Sequence, residues 1–175
     1  MIAFEMASKH VRGSIGGAGH GAAADRHARV LRQFRQVFNS VQTHFRAVEK
    51  RAGVGGAQLW ALSVIRERPG IGVSELARAM DIHQTTASNL VRTLIEAGLV
   101  ANERNPHDRR AVHLRVLAPG TRVLKRAPGP YAGVLPEALQ RLDARTLKRL
   151  EADLSALLAQ LQADDRSAKV PLAQI

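Results

Sequence analysis

Apolar side chains recur at helical steps along most of this chain; in one short stretch they alternate instead. Between residues 23 and 52, Val30, Phe34, Val37, Phe38, Val41, Phe45 and Val48 fall three or four residues apart, with Arg26, Arg29, Arg32, Arg35 and Gln36 on the other side. That spacing predicts an amphipathic helix whose apolar face meets a core or another subunit. Gly53 to Gly56 ends it, and a second helix over 57–68 follows, with Leu59, Trp60, Leu62 and Ile65 as buried candidates. Pro69 and Gly70 stop that helix. Ser74 is the expected N-cap of a third helix over 75–80; Asp81 and Ile82 turn the chain into a fourth over 83–97, closed by Gly98 in a left-handed cap. Residues 100–103 and 112–116 alternate apolar and polar, as hairpin strands do, around the turn residues Asn105, Pro106, His107 and Asp108.

Beyond the hairpin, Pro119 and Gly120 introduce a helix over about 121–126, which Pro128, Gly129 and Pro130 interrupt. A helix resumes over 134–142, and the last, after Asp143, runs to about residue 162 with Leu147, Leu150, Leu154, Leu157, Leu158 and Leu161 in one stripe. Residues 1–22 are glycine-rich and offer little to bury, so a flexible basic arm is expected there. Its glycines follow no strand and do not make a dinucleotide loop. The fold class is therefore mainly α with a small β-hairpin wing, a winged helix-turn-helix between terminal helices. Six aromatic residues in a chain that is 45% apolar leave the core to Leu, Val, Ile and Ala, which suits packed helices.

Charge locates the expected work. The chain carries a net +11; residues 82–126 hold eight basic and three acidic groups, residues 1–51 nine and three, and the remaining two stretches balance. A polyanion is the simplest partner for such a distribution. The fourth helix has an inner side of Ala87, Leu90, Val91, Leu94 and Ile95. Its outer side offers His83, Gln84, Thr85, Thr86, Ser88, Asn89 and Arg92. Gln84 and Asn89 have the length and geometry to pair with adenine, Thr85 or Thr86 can touch a thymine methyl or a phosphate, and Arg92 suits a phosphate. The N-terminus of this fourth helix itself favours a phosphate, and Ser74, at the start of the preceding helix, is counted among the DNA contacts. At the hairpin tip, Arg104, Asn105, Arg109 and Arg110 can enter a minor groove or grip its backbone, and Asp108 can fix the loop by pairing with an arginine. The expectation is sequence-specific binding of double-stranded DNA; a sequence-tolerant architectural DNA binder is the alternative, favoured by the basic arm.

Other classes fare worse. No nucleophile–base constellation, phosphate loop or cleft-forming carboxylate pair is present, so no enzyme activity is expected. With no cysteine, disulfides and thiolate sites are excluded. His107 and His113 flank Asp108 in surroundings that suit DNA better than a metal shell, so neither metal nor cofactor is expected. No apolar run approaches the ~20 residues that span a bilayer. The first residues, with Glu5 among them, are too short and acidic for a secretory signal, so the expected location is the cytoplasm.

Gly98, Leu99 and Val100, followed by Asp108, Arg109 and Arg110 and then by Leu117, Ala118, Pro119 and Gly120, resemble the signature of the multiple antibiotic resistance regulator (MarR) family of bacterial transcription factors. The likeness covers roughly residues 25–163. Ala118 departs from the family's usual threonine, His83 from a capping serine, Asn102 and Glu103 from basic residues at the base of the wing, and the break at 128–130 from a long continuous helix. The resemblance implies a homodimer in which the first and last helices intertwine, most often a repressor of a pseudo-palindromic operator. The implied domains are an arm (1–22), a dimerisation helix (23–52), a winged helix-turn-helix (53–117), C-terminal dimerisation helices (118–163) and a tail (164–175). It also implies a small effector, anionic or aromatic, between dimerisation helices and reading head. Phe38, His44, Phe45 and Trp60 are the candidate lining residues, with Arg46 to meet a carboxylate.

Overall fold

The computed structural model describes residues 17–105, 108–164 and 168–174; its side chains are described for 25–103, 113–164 and 168–174. In chain order the elements are α1 (Gly17–Ala52), α2 (Gly56–Glu67), α3 (Val73–Ala79), α4 (Gln84–Glu96), β1 (Val100–Asn105), β2 (Asp108–Val116), α5 (Ala118–Arg126), α6 (Val134–Gln140) and α7 (Ala144–Leu161), then a 3-10 turn (Leu172–Gln174). This is the expected class: helices with one two-stranded antiparallel sheet. The chain divides into two units, residues 1–36 and 37–175. In the first, Arg29 pairs with Asp25 one helical turn away, and Val30 and Leu31 are exposed.

The second unit is organised around α2. Leu59, Leu62 and Ile65 recur every third residue and are fully buried. Removing each from water contributes about 1.5–3 kcal/mol. Leu76 and Ala77 of α3, Leu90, Val91 and Leu94 of α4, Leu114 of β2 and Leu124 of α5 complete the same core. Trp60, on the adjacent side of α2, is only half-buried. Ile95 lies 38% exposed, outside the inner side of α4 where periodicity places it; the buried stripe ends at Leu94.

Local chemistry sets the ends of these elements, and several differ from expectation. α1 begins at Gly17, inside the stretch assigned to a flexible arm: Ala22, Ala23 and Ala24 are strong helix formers and extend the amphipathic segment backwards. α3 is capped by Gly72, not Ser74. The Gly72 amide donates to Glu75 Oε2 at 3.0 Å, so the acidic residue satisfies a free N–H and Ser74 is an exposed residue of the first turn. His83 takes the N-cap position of α4 without a side-chain hydrogen bond to the helix amides. α5 starts at Ala118, three residues before the expected place, because a proline in the first turn loses no helical hydrogen bond. The strands run further into the tip than alternation indicated, to Asn105 and from Asp108, with an irregularity after Arg104. Pro106 and His107 of the expected turn lie outside the described residues.

Two contacts fix the hairpin relative to the helices. Gly70 N donates to Leu114 O (2.9 Å) and Leu114 N to Ile71 O (3.1 Å), so the α2–α3 connection acts as a short third strand on β2. His113 Nδ1 lies 2.7 Å from Gly70 O in the same junction. At the other end, Leu117 N donates to Leu99 O at 2.9 Å. Gly120 packs so closely there that a Cβ would stand 2.4 Å from that carbonyl oxygen and 2.8 Å from Val116 Cγ1.

Candidate nucleic-acid interface and adjoining cavity

The sides of α4 separate by chemistry. Ala87, Leu90, Val91 and Leu94 face inward and are buried. Gln84, Thr85, Ser88, Asn89 and Arg92 are exposed with His83, and Thr86 is half-buried at the margin. The exposed groups are already ordered on the helix. Ser88 Oγ donates to Gln84 O (2.8 Å), which leaves its lone pairs outward. Thr93 Oγ1 likewise donates to Asn89 O (3.0 Å). Arg92 Nη2 donates across one turn to Asn89 Oδ1 at 3.4 Å. Hydrogen-bonding side chains of this length, on a helix with free N-terminal amides, suit base edges and backbone phosphates.

Along the hairpin, Glu103 pairs opposite His113, and Arg115 is its diagonal neighbour. Arg115 Nε donates to Glu103 Oε1 at 2.6 Å. The acidic residue at the wing base is thus the partner of a cross-strand pair, and it withdraws one arginine from the local positive field. Glu103, a departure from the family resemblance, pairs with Arg115 because strand alternation sets the two residues on one face of the hairpin. Side chains of Arg104, Asn105, Asp108, Arg109 and Arg110 lie outside the described residues.

A cavity of about 410 Å³ opens beside α2. Phe45 and Trp60 line it, as do Met80 and Ile82 from the α3–α4 turn and Tyr131 from the break between α5 and α6. Phe45 is held in a slot made by glycines. A Cβ on Gly56 would lie 2.2 Å from its Cδ1 and one on Gly133 2.9 Å from its Cζ; Gly133 also has φ of +104°. The Tyr131 hydroxyl donates to Leu124 O (3.0 Å), and Arg66 lies 5.5 Å from its ring centroid. Of the five residues assigned to effector contact, the structure brings Phe45 and Trp60 together on this wall. His44 Nε2 instead sits 3.0 Å from Pro130 O. Phe38 is 56% exposed, Arg46 is exposed, and neither lines the cavity. Among the described residues none of the lining side chains is basic, and Asp81, with φ of +50°, sits in the wall. Tyr131 and the C-terminal residues 168–173 were missed. The lone tyrosine in a Pro/Gly-rich break and the apolar Val170, Pro171, Leu172 after a polar run were the available signals.

Among the described residues no group of His, Asp and Glu is arranged to hold a metal ion, and no helix is long and apolar enough to cross a membrane. The exposed apolar surface lies elsewhere. Leu147, Leu154, Leu157, Leu158 and Leu161 of α7 are between 36% and 65% exposed, and Val37 and Phe38 of α1 are exposed too.

Residues 52–111 match the profile of the MarR family. The chain is 30% identical over 118 residues, 67% of its length, to a candidate transcriptional regulatory protein for the hcr operon of Thauera aromatica. It is 26% identical over 84 residues, 48% of its length, to the HTH-type transcriptional repressor MdtR of Bacillus subtilis. These matches span 66% and 54% of the relatives' own lengths, less than two thirds of either. Among solved structures, the chain in the MepR–DNA complex of S. aureus superposes with a TM-score of 0.52 at 17% identity, covering 74% of this chain and 94% of that one.

Proposed function

We propose that the chain, whose residues 52–111 match the MarR family profile, is a winged helix-turn-helix regulator of that family: a dimeric, sequence-specific regulator of transcription, a repressor in its default action. One observation carries the reading. The exposed flank of α4, from Gln84 to Arg92, is polar throughout and stands beside a hairpin pinned to the helix-turn-helix by backbone hydrogen bonds. A rigid unit of that kind can place a helix in a major groove while the wing reaches the neighbouring backbone. In this reading Gln84, Thr85, Ser88 and Asn89 meet base edges. Ser74, His83, Thr86 and Arg92 meet phosphates, and Arg104, Asn105, Arg109 and Arg110 work at the wing under the shaping influence of Asp108.

The uncovered leucines of α7 and the apolar side chains of α1 are the surface for a second copy. Five leucines left exposed along one helix are more apolar surface than a lone subunit ordinarily presents to water. Dimeric reading heads meet half-sites about one helical turn apart, ~34 Å. The cavity at Phe45 and Trp60 is the place for an effector that releases DNA by binding one spacing of the heads better than the other. Its apolar wall suits a neutral aromatic molecule better than the aromatic acid the family resemblance suggested, because no basic side chain lines it among the described residues. The name of the MdtR relative and the MepR–DNA complex support the regulatory and DNA-binding parts of this reading.

Selection of bound duplexes from a randomised library tests it. The expected result is a pseudo-palindrome with half-sites one turn apart. Recovery of unrelated sequences with equal affinity would replace the regulator with an architectural DNA binder.

A further inference from the structure

The C-terminal segment forms one side of the cavity. Ala168, Val170, Pro171, Leu172 and Ala173 all line it, although they follow α7 by several residues. Pro171 is buried in this otherwise exposed stretch. Ala173 rests against the first turn of α2, where only a glycine leaves room: a Cβ on Gly56 would meet Ala173 Cβ at 2.9 Å. Gln174 N donates to Pro171 O at 2.8 Å and closes the 3-10 turn that presents these side chains. Among the described residues no hydrogen bond or ion pair ties 168–174 to the rest of the unit, so apolar packing holds the segment. Val170 and Leu172 remain 38% and 39% exposed.

The same segment reaches the reading helix. Ala173 and Gln174 line a second cleft together with Asn89, Leu90 and Thr93 of α4. Ala173 therefore belongs to both the cavity and the cleft beside the polar flank of α4.

We propose that residues 168–174 are an internal ligand of the cavity, an apolar strap that a neutral aromatic molecule displaces, and that its displacement is transmitted to α4 through Ala173 and Gln174. The second half rests on the DNA-binding reading above; the first half does not. A segment held by packing alone exchanges with any molecule that covers the same apolar wall, and its docked fraction lowers the apparent affinity of that molecule. If the strap is docked in about nine molecules of ten, removing it tightens binding of a probe about tenfold.

The test titrates the neutral fluorescent probe N-phenyl-1-naphthylamine, without DNA, into the full chain, a chain ending at Asp164, and the full-length Ala173→Asp variant, whose carboxylate cannot be buried on Gly56. Both altered chains are expected to bind the probe about tenfold more tightly than the unaltered chain. The peptide Ala-Lys-Val-Pro-Leu-Ala-Gln is expected to compete with the probe on the shortened chain. Should truncation compromise folding, seen by circular dichroism, Ala173→Asp carries the test alone. Equal probe affinity in all three chains, or weaker binding once the strap is removed, overturns the proposal; the latter would make the segment a wall of the site instead of its occupant. A DNA titration of the unaltered chain stands apart. Its failure would remove the regulatory reading and leave the probe result intact.

Discussion

Replacing Gly120 with alanine opposes two effects of known sign. In an unconstrained helix the change stabilises by about 1 kcal/mol, because alanine loses less backbone entropy on folding. Here the added Cβ would stand 2.4 Å from Leu99 O, 2.8 Å from Val116 Cγ1 and 3.2 Å from Leu62 Cδ1. Carbon and a carbonyl oxygen in contact sit ~3.3–3.6 Å apart, so relief requires a backbone shift of about 1 Å. Rotation of a side chain cannot supply it, since the nearest atom is backbone and accepts the Leu117 N–H bond at 2.9 Å. Overpacking of this kind costs about 1–3 kcal/mol, and the upper half of that range applies when backbone must move. The net expectation is a loss of about 1–2 kcal/mol. With a urea dependence of ~2 kcal/mol per molar, the unfolding midpoint falls by about 0.5–1 M. Circular dichroism at one fixed protein concentration measures it, since association shifts apparent stability. A midpoint unchanged or raised would show that the α5 start does not pack against the β1 entrance as described.

Three further outcomes are expected. Glu103→Gln releases Arg115 from its 2.6 Å partner. Stability changes by less than about 1 kcal/mol, as for other exposed pairs. DNA affinity rises and the salt slope steepens by about 1 if the freed guanidinium meets a phosphate; an unchanged slope denies Arg115 that role. Leu158→Glu, at a leucine 51% exposed in the single chain, should leave the fold of each subunit intact and abolish self-association in sedimentation; a dimer persisting at micromolar concentration would place the interface elsewhere. Asp143 caps α7. The Thr146 amide, first, and the Thr146 hydroxyl hold its carboxyl below the ordinary carboxylate value by donating to it at 3.0 and 2.7 Å. A depressed folded pKa means the cap's contribution is complete above the unfolded carboxylate value of ~3.9 and is lost as pH falls through the folded one. The protection factor of the Thr146 amide, its exchange rate divided into the intrinsic rate at the same pH, should therefore fall as pH drops through the folded Asp143 value in the unaltered chain. In Asp143→Ala it should be low already at neutral pH; a protection factor with no acid dependence in the unaltered chain would remove the cap.

What the sequence revealed followed how local each cause was. The stripes that bury Leu59, Leu62 and Ile65, and Leu90 with Leu94, are set by spacing alone and were legible. So was the start of α7 after Asp143, whose capping partner Thr146 lies three residues away. The cap of α3 was misplaced because Gly72 and Ser74 both precede an apolar run, and only the reach of Glu75 back to the Gly72 amide decides between them. The polar flank of α4 was readable from its helical period. The cavity was readable only in part. Phe45 and Trp60 announce themselves as aromatics, but Tyr131 and the 168–173 segment reach α2 across many residues of chain, and no local pattern records that return. His44 and Arg46 lie beside Phe45 in sequence, yet helical rotation sends one to the Pro130 carbonyl and the other to solvent.

The central claim is that the exposed flank of α4 discriminates between DNA sequences. It is tested most directly by titrating the unaltered chain and Asn89→Ala against the selected operator and a scrambled duplex of equal length at one salt concentration. The account predicts that Asn89→Ala loses about 1–3 kcal/mol on the operator and little on the scrambled duplex, so the specificity ratio collapses. Equal loss on both duplexes, or none on either, would contradict it.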